Sequence, residues 1–224
     1  MPSSPKPFNP FPHNWHSSDY VSGWIAHDVA RDVDRRPLLR QMLSFAPSPR
    51  DAELDVLDVG GGYGVVTEEV LHAFPAAHVT LQDYSEPMLG QTRRRLATRL
   101  DQLSLVRCDL TDPTWPQQVG GPFDLAVSAI ALHNLADRKK IFACYRAIRG
   151  LLKPGGCFLN CDRFVDGVEA HLAALREAGF ARVECPWRDL PRAIIVASRI
   201  AGSPCQPALR NPSSMSVRSG GGRA

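Results

Sequence analysis

The 224-residue chain has no long apolar run. A helix that crosses a membrane needs about 20 consecutive apolar residues, and no segment approaches that length, so we expect no membrane partner. Residues 1–12 are rich in proline and lack the basic-then-apolar order of a secretory signal. These two absences predict a cytoplasmic protein.

Paired cysteines are also missing. The six cysteines lie at positions 108, 144, 157, 161, 185 and 205, and none forms a Cys-x-x-Cys pair. A structural metal site would need more ligands at suitable spacing, so we expect no metal and free, buried thiols. Cys157 and Cys161 are four residues apart in an expected strand and should face the same side of a sheet.

Acidic residues are absent from the last part of the chain. Residues 199–224 hold four arginines and no aspartate or glutamate, against a net charge of +3 for the whole chain. The remainder is close to neutral and shows no basic stripe, which argues against a nucleic-acid partner. Residues 201–224 are rich in serine, glycine, proline and arginine without periodicity, and we predict a disordered tail there.

Residues 1–50 predict an irregular and helical N-terminal lid. Residues 1–16 should be irregular, and residues 17–19 (Ser-Ser-Asp) then offer a helix N-cap. Apolar residues recur every four positions in the helix that follows and predict one apolar face. They are Val21, Ile25, Val29 and Val33. A second helical segment should start at Pro37.

Residues 51–200 change to alternating strands and helices and form the predicted main domain. Strands are predicted at 54–59, 78–82, 103–108, 123–128 and 157–162, with helices between them. Such alternation is typical of an α/β fold in three layers, a doubly wound parallel sheet covered on both faces. Two last strands, near 181–185 and 193–198, have no helix between them and should form a C-terminal antiparallel hairpin.

The strongest motif is a strand that runs into glycines, VLDVGGGYG at residues 56–64. Clustered glycines let the backbone turn tightly and approach a ligand closely, at the strand end where doubly wound folds bind ligands. The dinucleotide fingerprint Gly-x-Gly-x-x-Gly fails, because its sixth position falls on Val65 or Thr67. Asp58, just before the loop, would repel a pyrophosphate and attract an ammonium or sulfonium charge.

The next two predicted strands also end in acids. Asp83 follows the second strand, at the place of a carboxylate that accepts both hydroxyls of a ribose. Asp109 follows the third strand, where it can accept from an exocyclic adenine amine while the backbone of Leu110 meets the ring. Each acid alone also fits a helix cap or a surface loop. Three acids at three successive strand ends, beside a glycine loop, favour a nucleoside site.

In this order and spacing, the motifs resemble those of class I S-adenosylmethionine-dependent methyltransferases of the small-molecule type. The matching segments are VLDVGGGYG, VTLQDYSEPML, VRCDLTD, FDLAVSAIALHNL, LLKPGG and HLAALREAGF, over residues 54–200. The resemblance implies a Rossmann-like methyltransferase fold with a seven-stranded sheet and one reversed strand. It also implies S-adenosyl-L-methionine as the cofactor and a small molecule as the methyl acceptor.

The resemblance further implies a role for each matching residue. The glycines of the loop would line the methionine and ribose parts of the cofactor, and the three acids would hold its amino group, ribose and adenine. Met88 would pack beside adenine, and Ser128 with Ala129 would lie under the methionine moiety. The implied cofactor-binding residues are Asp58, Gly60, Gly62, Gly64, Asp83, Met88, Asp109, Leu110 and Ser128.

Methyl transfer from a sulfonium is an in-line displacement that neutralises charge, so alignment supplies much of the rate. A base is needed only where the acceptor oxygen or nitrogen must lose a proton. His133 follows the fourth strand in a loop that faces the expected pocket, and an ordinary histidine pKa of about 6.5 suits a base. Asp162, at the end of the fifth strand, is the second catalytic candidate. A helix-cap or cofactor-shaping role for His133 stays open.

The sequence has no long insertion between the fifth strand and the next helix, since Asp162 is only six residues before Val168. A roof over the acceptor must then come from residues 1–50 or from a partner subunit, so a monomer and a homodimer both stay open. Trp15, Tyr20 and Trp24 are the predicted substrate-contacting residues. An aromatic lid of this kind favours a modest, partly apolar acceptor.

Three functional classes stay open. The first is O- or N-methylation of a small molecule. The second is methylation of RNA or protein. Residues 128–131 (Ser-Ala-Ile-Ala) lack the Asn/Asp-Pro-Pro-aromatic run that related families use to methylate base amines. Methylation of pyrimidine C5 needs a cysteine nucleophile, often in a Pro-Cys pair, and the only such pair lies in the tail at 204–205. The third is an inactive cofactor-binding protein that regulates a partner. The failed fingerprint argues against a nicotinamide oxidoreductase.

Overall fold

Two helices precede the sheet. The computed structural model describes residues 13–165 and 167–199, so the predicted tail and residues 1–12 of the predicted lid lie outside the described residues. Helix α1 spans Ser18–Asp28, and the Ser17 hydroxyl caps it by accepting from the Tyr20 N–H at 3.2 Å. Helix α2 spans Asp32–Leu43, so Pro37 lies inside this helix rather than at its start.

The predicted apolar face of one continuous N-terminal helix is wrong. A 3₁₀ turn at Val29–Arg31 interrupts the helix, and Val29 and Val33 are 47% and 81% exposed. The cause is Asp28, whose buried carboxylate accepts from the Arg35 guanidinium at 2.5 Å. A charged pair therefore takes the inner position that the two valines were expected to fill.

A seven-stranded sheet follows in the order β3-β2-β1-β4-β5-β7-β6. The strands are β1 Asp55–Val59, β2 His78–Asp83, β3 Leu103–Arg107, β4 Phe123–Ala129, β5 Leu152–Arg163, β6 Arg182–Asp189 and β7 Arg192–Ser198. Strands β1 to β5 pair in parallel, and β7 runs antiparallel to both β5 and β6. The predicted doubly wound α/β sheet with a C-terminal antiparallel hairpin is confirmed.

Helices cover both faces of the sheet, because successive strand residues point to opposite sides. The helices after α2 are α3 Val65–Ala73, α4 Glu86–Arg95, α5 Trp115–Val119, α6 Arg138–Leu151 and α7 Val168–Glu177. On one face, Val21 of α1 and Met42 of α2 pack in a cluster with Val56 of β1. On the other, Leu57 of β1 packs in a cluster with Tyr145 of α6. Helices α1 and α2 thus contribute to the same core as the sheet.

Strand boundaries differ from the sequence prediction by more than one residue at two places. Strand β5 begins at Leu152 rather than at position 157. Strand β6 extends to Asp189 through an irregularity between Glu184 and Trp187, so the hairpin link contains only residues 190–191. Helix α5 is not predicted, because its five residues carry no apolar periodicity.

Four of the five described cysteines are buried as expected, whereas Cys185 is only half-buried. Cys157 and Cys161 both pack in the cluster under α1 and α2, and the five cysteines in the described residues are free thiols. No helix in the described ranges is long and apolar enough to cross a membrane.

The sheet order reverses at β1, which lies between β2 and β4. In doubly wound folds, ligands bind outside the carboxyl ends of the strands at such a reversal. The residues that follow β1, β2, β3 and β4 therefore meet at one edge, and the candidate site lies there.

Candidate active site

The glycine loop between β1 and α3 forms one wall of a cavity of about 310 Å³. Gly60 and Gly62 line this cavity with φ angles of +67° and +56°, which L side chains rarely adopt. A Cβ at Gly60 would lie 2.7 Å from the Ala131 Cβ, so only glycine fits there. Gly64 instead begins α3 and packs close to Thr92 of α4. It is not among the residues that line the cavity.

Hydrogen bonds fasten the loop to the end of β2. The Gly60 N–H donates to Gln82 Oε1 at 3.0 Å, and the Gly62 N–H donates to Asp83 Oδ2 at 2.9 Å. Gln82 Nε2 donates to the Cys108 carbonyl oxygen at 2.6 Å, which links β2 to the residue after β3. This wall of the cavity is held in shape by the protein alone.

Asp83 is the buried acid at the centre of this wall. Besides the bond from Gly62, its Oδ1 accepts from the Ser85 N–H at 2.8 Å. Burial raises the pKa of Asp83, and the two N–H groups act in the opposite direction. Each carboxylate oxygen can accept a further hydrogen bond, so Asp83 can take two ligand hydroxyls at the cavity surface.

The outer wall of the same cavity comes from separate parts of the chain. Met88 of α4 lines it, and so do Asp109 and Leu110 after β3. Asp109 Oδ1 accepts from the Thr111 N–H at 2.8 Å, which orients the carboxylate. Trp15, predicted to contact substrate, also lines this cavity, and its carbonyl oxygen accepts from the Ser85 hydroxyl.

Asp58 lies beneath the loop, fully buried, and is not among the lining residues. Its Oδ2 accepts from the Thr67 hydroxyl at 2.6 Å, whereas Oδ1 has no hydrogen-bond partner among the described residues. Burial raises the pKa of Asp58 to about 7. A buried carboxylate oxygen without a partner is rare, and a cationic ligand group nearby would favour the ionised form.

A smaller cavity of about 70 Å³ continues beyond the glycine loop and Met88. Trp24, Tyr63 and Arg35 contribute to its wall. The Arg35 guanidinium donates to the Tyr63 hydroxyl at 2.6 Å and to Asp28. Its Nε is buried without a hydrogen-bond partner in the part of the chain that the structure describes. Burial raises the pKa of Tyr63 to about 12, so the phenol stays neutral.

Ser128 does not reach either of these cavities. It is fully buried, and its hydroxyl donates to the Val59 carbonyl oxygen at 2.9 Å. Ser128 therefore fastens β4 to β1, while the next residue, Ala129, lines the smaller cavity.

The two predicted catalytic residues lie in contact with each other. The His133 Nδ1 is 2.6 Å from Asp162 Oδ1, and the His133 backbone N–H donates to Asp162 Oδ2 at 3.1 Å. The Asp162 side chain is 2% exposed and that of His133 is 24% exposed. A carboxylate at Nδ1 favours the tautomer that carries the proton there, which leaves Nε2 as the proton acceptor. Neither His133 nor Asp162 is among the residues that line the two cavities, although Ala131 and Asn134 beside His133 line the larger one.

Aromatic side chains from the N-terminal segment stand over the site. The Trp15 ring is 5.3 Å from the Tyr20 ring and 5.1 Å from the Trp24 ring, both in edge-to-face geometry. Tyr20 is half-buried in this cluster and is not among the residues lining the two cavities. Burial, with a smaller effect of the nearby His133, lowers the pKa of His13.

Sequence reasoning missed several residues that line the larger cavity. They are Gln82, Tyr84, Thr111, Ala131, Asn134, Leu135 and Lys140. The sequence could have indicated Gln82, because it is a polar residue directly before Asp83 at the end of an apolar strand. It could not have indicated the residues after β4, because their position depends on how that loop folds back onto Gly60.

Within the described ranges, no cluster of three histidine, cysteine, aspartate or glutamate side chains could hold a metal ion. The candidate site consists of three parts. They are a nucleoside-sized cavity with the buried Asp83 in its wall and Asp58 beneath its glycine loop, a smaller cavity beside it, and the pair of His133 and Asp162.

Comparison with known proteins agrees with this geometry. Residues 56–156 match the family model described as a methyltransferase domain. A malonyl-[acyl-carrier protein] O-methyltransferase of Chlorobium phaeovibrioides is 37% identical over 118 residues, 51% of this chain and 42% of that protein. A trans-aconitate 2-methyltransferase of Variovorax paradoxus is 32% identical over 158 residues, 70% of this chain and 54% of that protein. An O-methyltransferase family protein from Burkholderia thailandensis superimposes with a TM-score of 0.67 at 18% identity, over 84% of this chain and 61% of that one.

Residues 56–156 are thus similar to a methyltransferase domain, and the predicted Rossmann-like fold with a seven-stranded sheet is confirmed. The chain spans about half the length of the curated relatives it matches.

Proposed function

We propose that the protein transfers a methyl group from S-adenosyl-L-methionine to an oxygen or nitrogen of a small-molecule acceptor. The observation that carries the proposal is Asp83, a buried carboxylate fastened by the N–H groups of Gly62 and Ser85 and aimed at a cavity of about 310 Å³. Such a carboxylate suits the two hydroxyls of a ribose. Asp58, just before the loop, disfavours a dinucleotide pyrophosphate.

The residues present fit this cofactor, which supplies a methyl group on a positively charged sulfur for in-line displacement. Asp83 would hold the ribose, while Asp109, Leu110 and Met88 would enclose the adenine. The orphaned Oδ1 of Asp58 supports a cationic amino group or a bridging water close to the loop. Arg35, with its unpartnered Nε, would face the carboxylate of the methionine part.

In this proposal His133 is the base and Asp162 is the residue that positions it. Asp162 Oδ1 holds Nδ1 at 2.6 Å, so Nε2 would take the proton from an acceptor hydroxyl or amine. The imidazolium formed in this step would be stabilised by the buried carboxylate of Asp162. The histidine would return the proton to solvent, since its side chain is partly exposed.

The names of the relatives support a small acceptor. One methylates malonyl-[acyl-carrier protein] and another trans-aconitate, as their names state. We propose that residues 1–50 act as a lid over the site, with Trp15 at the nucleoside-sized cavity and Trp24 at the small one. A cytoplasmic location is a prediction from the sequence, and so is an assembly that is either a monomer or a homodimer.

The first experiment is thermal unfolding with S-adenosylmethionine, S-adenosylhomocysteine and NAD⁺ in parallel. A ligand at about 100 times its Kd adds about 2.7 kcal/mol, which raises Tm by about 5–10 °C for a chain of this size. A rise with the first two ligands is expected, and a rise with NAD⁺ instead would contradict the proposal.

The second experiment separates catalysis from cofactor binding. In a screen of small acceptors, His133→Gln should lower kcat by about 100-fold or more while the Kd for S-adenosylmethionine stays within about twofold. His72→Gln, on the exposed side of α3, is the matched control. Tight cofactor binding without turnover of any acceptor would favour the inactive regulatory protein.

A further inference from the structure

A third cavity, of about 430 Å³, lies beside the small cavity. Arg35, Leu39 and Ile130 line both this cavity and the small one. The two spaces therefore adjoin at the carboxyl end of β4. This third cavity lies between the N-terminal helices, the end of β5 and the start of β7, and Arg35 is the one lining residue that we also expect to contact the cofactor.

The cavity has apolar walls and cationic groups. Leu38, Leu39 and Pro191 supply apolar wall area, and Arg31, Arg163 and Arg192 supply guanidinium groups. Two acids, Asp28 and Asp34, also line it. Asp28 is bound by Arg35 and by the Tyr63 hydroxyl at 3.0 Å, and it also lies 4.0 Å from the Arg31 guanidinium. Asp34 is the second acid that lines the cavity.

Two of these arginines are held side by side by the sheet. Arg163 ends β5, Arg192 begins β7, and the antiparallel register pairs them directly. Like charges directly opposite each other destabilise a sheet. Arg192 also donates to Asp189 at 3.0 Å. The Arg163 guanidinium has no ion-pair partner in residues 13–165 and 167–199. An anion between the two guanidinium groups would remove the repulsion.

The backbone at the junction of the cavities is strained. Ile130 has a φ of +51°, and its N–H donates to the Cys161 carbonyl oxygen at 3.0 Å. A β-branched residue in this region is an outlier, and such strain persists where the surroundings enforce it, as at functional sites. The strained residue borders both the small cavity and the arginine-lined one.

From these observations we infer that the third cavity binds the acceptor and that the acceptor is a small carboxylic acid with an apolar body. Its carboxylate is anchored by Arg163 and Arg192, with Arg31 at the cavity lining, and its reacting atom points towards Ile130 and the small cavity. A single negative charge suits the site better than a phosphate dianion, because Asp34 also lines it. The inference rests on the proposed function, since it takes the small cavity as the place of the methyl donor.

The test uses benzoate, its neutral isostere benzamide, and inorganic phosphate as probes. The full-length protein is saturated with S-adenosylhomocysteine, and each probe is titrated at constant ionic strength by calorimetry or NMR. We expect saturable benzoate binding, with benzamide and phosphate at least about tenfold weaker. Equal binding of benzoate and benzamide, tighter binding of phosphate, or no benzoate binding would overturn the inference.

Variants then assign the anchor. Arg163→Gln and Arg192→Gln should each weaken benzoate binding by about tenfold or more, and the affinity for S-adenosylhomocysteine should stay unchanged. Arg188→Gln, which removes an exposed arginine of β6, is the control and should bind benzoate like the wild type. Unchanged benzoate affinity in the first two variants would contradict the assignment.

Two further measurements, the Tm of the ligand-free variants and the binding of S-adenosylhomocysteine, show which part of the argument has failed if benzoate binding is not as expected. Removing one of two opposed positive charges should leave the Tm of the ligand-free protein unchanged or higher, and a lower Tm would indicate a structural role instead. If S-adenosylhomocysteine binds but benzoate does not, this inference fails and the proposed function stands. If S-adenosylhomocysteine does not bind, both fail.

Discussion

The two halves of the site are built in different ways. The nucleoside half is made of backbone N–H groups, Gln82 and Asp83, joined by hydrogen bonds of 2.6 to 3.0 Å that need no ligand. The inferred acceptor half is made of charged side chains that come from three distant segments, with Arg163 opposite Arg192. The first half is ordered by the protein itself, whereas the second places like charges side by side that a bound anion would offset.

This difference has a physical origin. A loop that follows a strand directly is positioned by the sheet, so contiguous residues can form a rigid binding wall. An acceptor site assembled from side chains of separate elements can be altered by single substitutions without disturbing the fold. The comparison therefore predicts large, cofactor-specific effects in the first half and smaller, separable effects elsewhere.

The largest effect on the nucleoside half should come from Asp83→Ala. This change removes a carboxylate that would accept two ribose hydroxyls, and hydrogen bonds to a charged group contribute about 1.5–3 kcal/mol each. We expect the Kd for S-adenosylmethionine to rise by about 100-fold or more in calorimetry. Asp101→Ala, an exposed acid near the start of β3, is the control and should bind normally. A loss of less than about threefold in the Asp83 variant would contradict the ribose assignment.

Gly60→Ala and Gly62→Ala are a matched pair of variants that test how far the shape of the loop requires glycine at each position. Both positions have positive φ, which costs about 1–2 kcal/mol for an L side chain. Only the Cβ at Gly60 meets another atom, the Ala131 Cβ at 2.7 Å, which adds about 1–3 kcal/mol of overpacking. Denaturant unfolding of the ligand-free protein should show about 3 kcal/mol of destabilisation for Gly60→Ala and about 1 kcal/mol for Gly62→Ala. Equal losses would mean that the contact with Ala131 is relaxed.

The free energy of unfolding should depend on pH because of Asp58. Because burial raises its pKa to about 7, the folded protein holds a proton that the unfolded chain releases near pH 4. The contribution of this group to the free energy of unfolding is then largest below about pH 4 and falls as pH rises towards 7. Between about pH 5 and pH 7 the ligand-free wild type should lose about 2 kcal/mol relative to Asp58→Asn. Denaturant unfolding at the two pH values measures this difference.

Cofactor binding should show the opposite trend. A cationic amino group binds the ionised form of Asp58 better, so the affinity of the wild type for S-adenosylmethionine should fall as pH drops below about 7. Asp58→Asn should bind more weakly at pH 7 and lack this dependence. The same pH profile in both proteins would remove Asp58 from the cofactor site.

The smallest effect is expected at Ser128. Its hydroxyl donates only to the Val59 carbonyl oxygen, away from both cavities. Ser128→Ala should therefore cost about 1 kcal/mol of stability and leave the Kd for S-adenosylmethionine within about twofold. A tenfold weaker affinity would instead support the role that the resemblance implies, in which Ser128 lies under the methionine part of the cofactor.

The N-terminal region marks where sequence reasoning fails. The four-residue spacing of valines predicts one apolar face, but Asp28, Asp32 and Arg35 form a buried ionic contact at that position. Periodicity counts apolar residues and carries no information on which charged side chains find partners inside. The Arg36–Glu69 pair, at 2.5 Å between α2 and α3, is invisible to the pattern for the same reason.

The sequence by itself determined the sheet, its reversed hairpin and the strand ends at which the glycine loop, Asp83 and Asp109 lie. Alternation of apolar runs fixes strands and helices, and the glycines and acids follow strand ends that a parallel sheet brings to one edge. The contact between His133 and Asp162, the burial of Ser128 away from the cavities, and the meeting of Arg31, Arg163 and Arg192 were decided only by the tertiary structure. These features join residues far apart in the chain, so they depend on strand register and helix packing that no local pattern encodes.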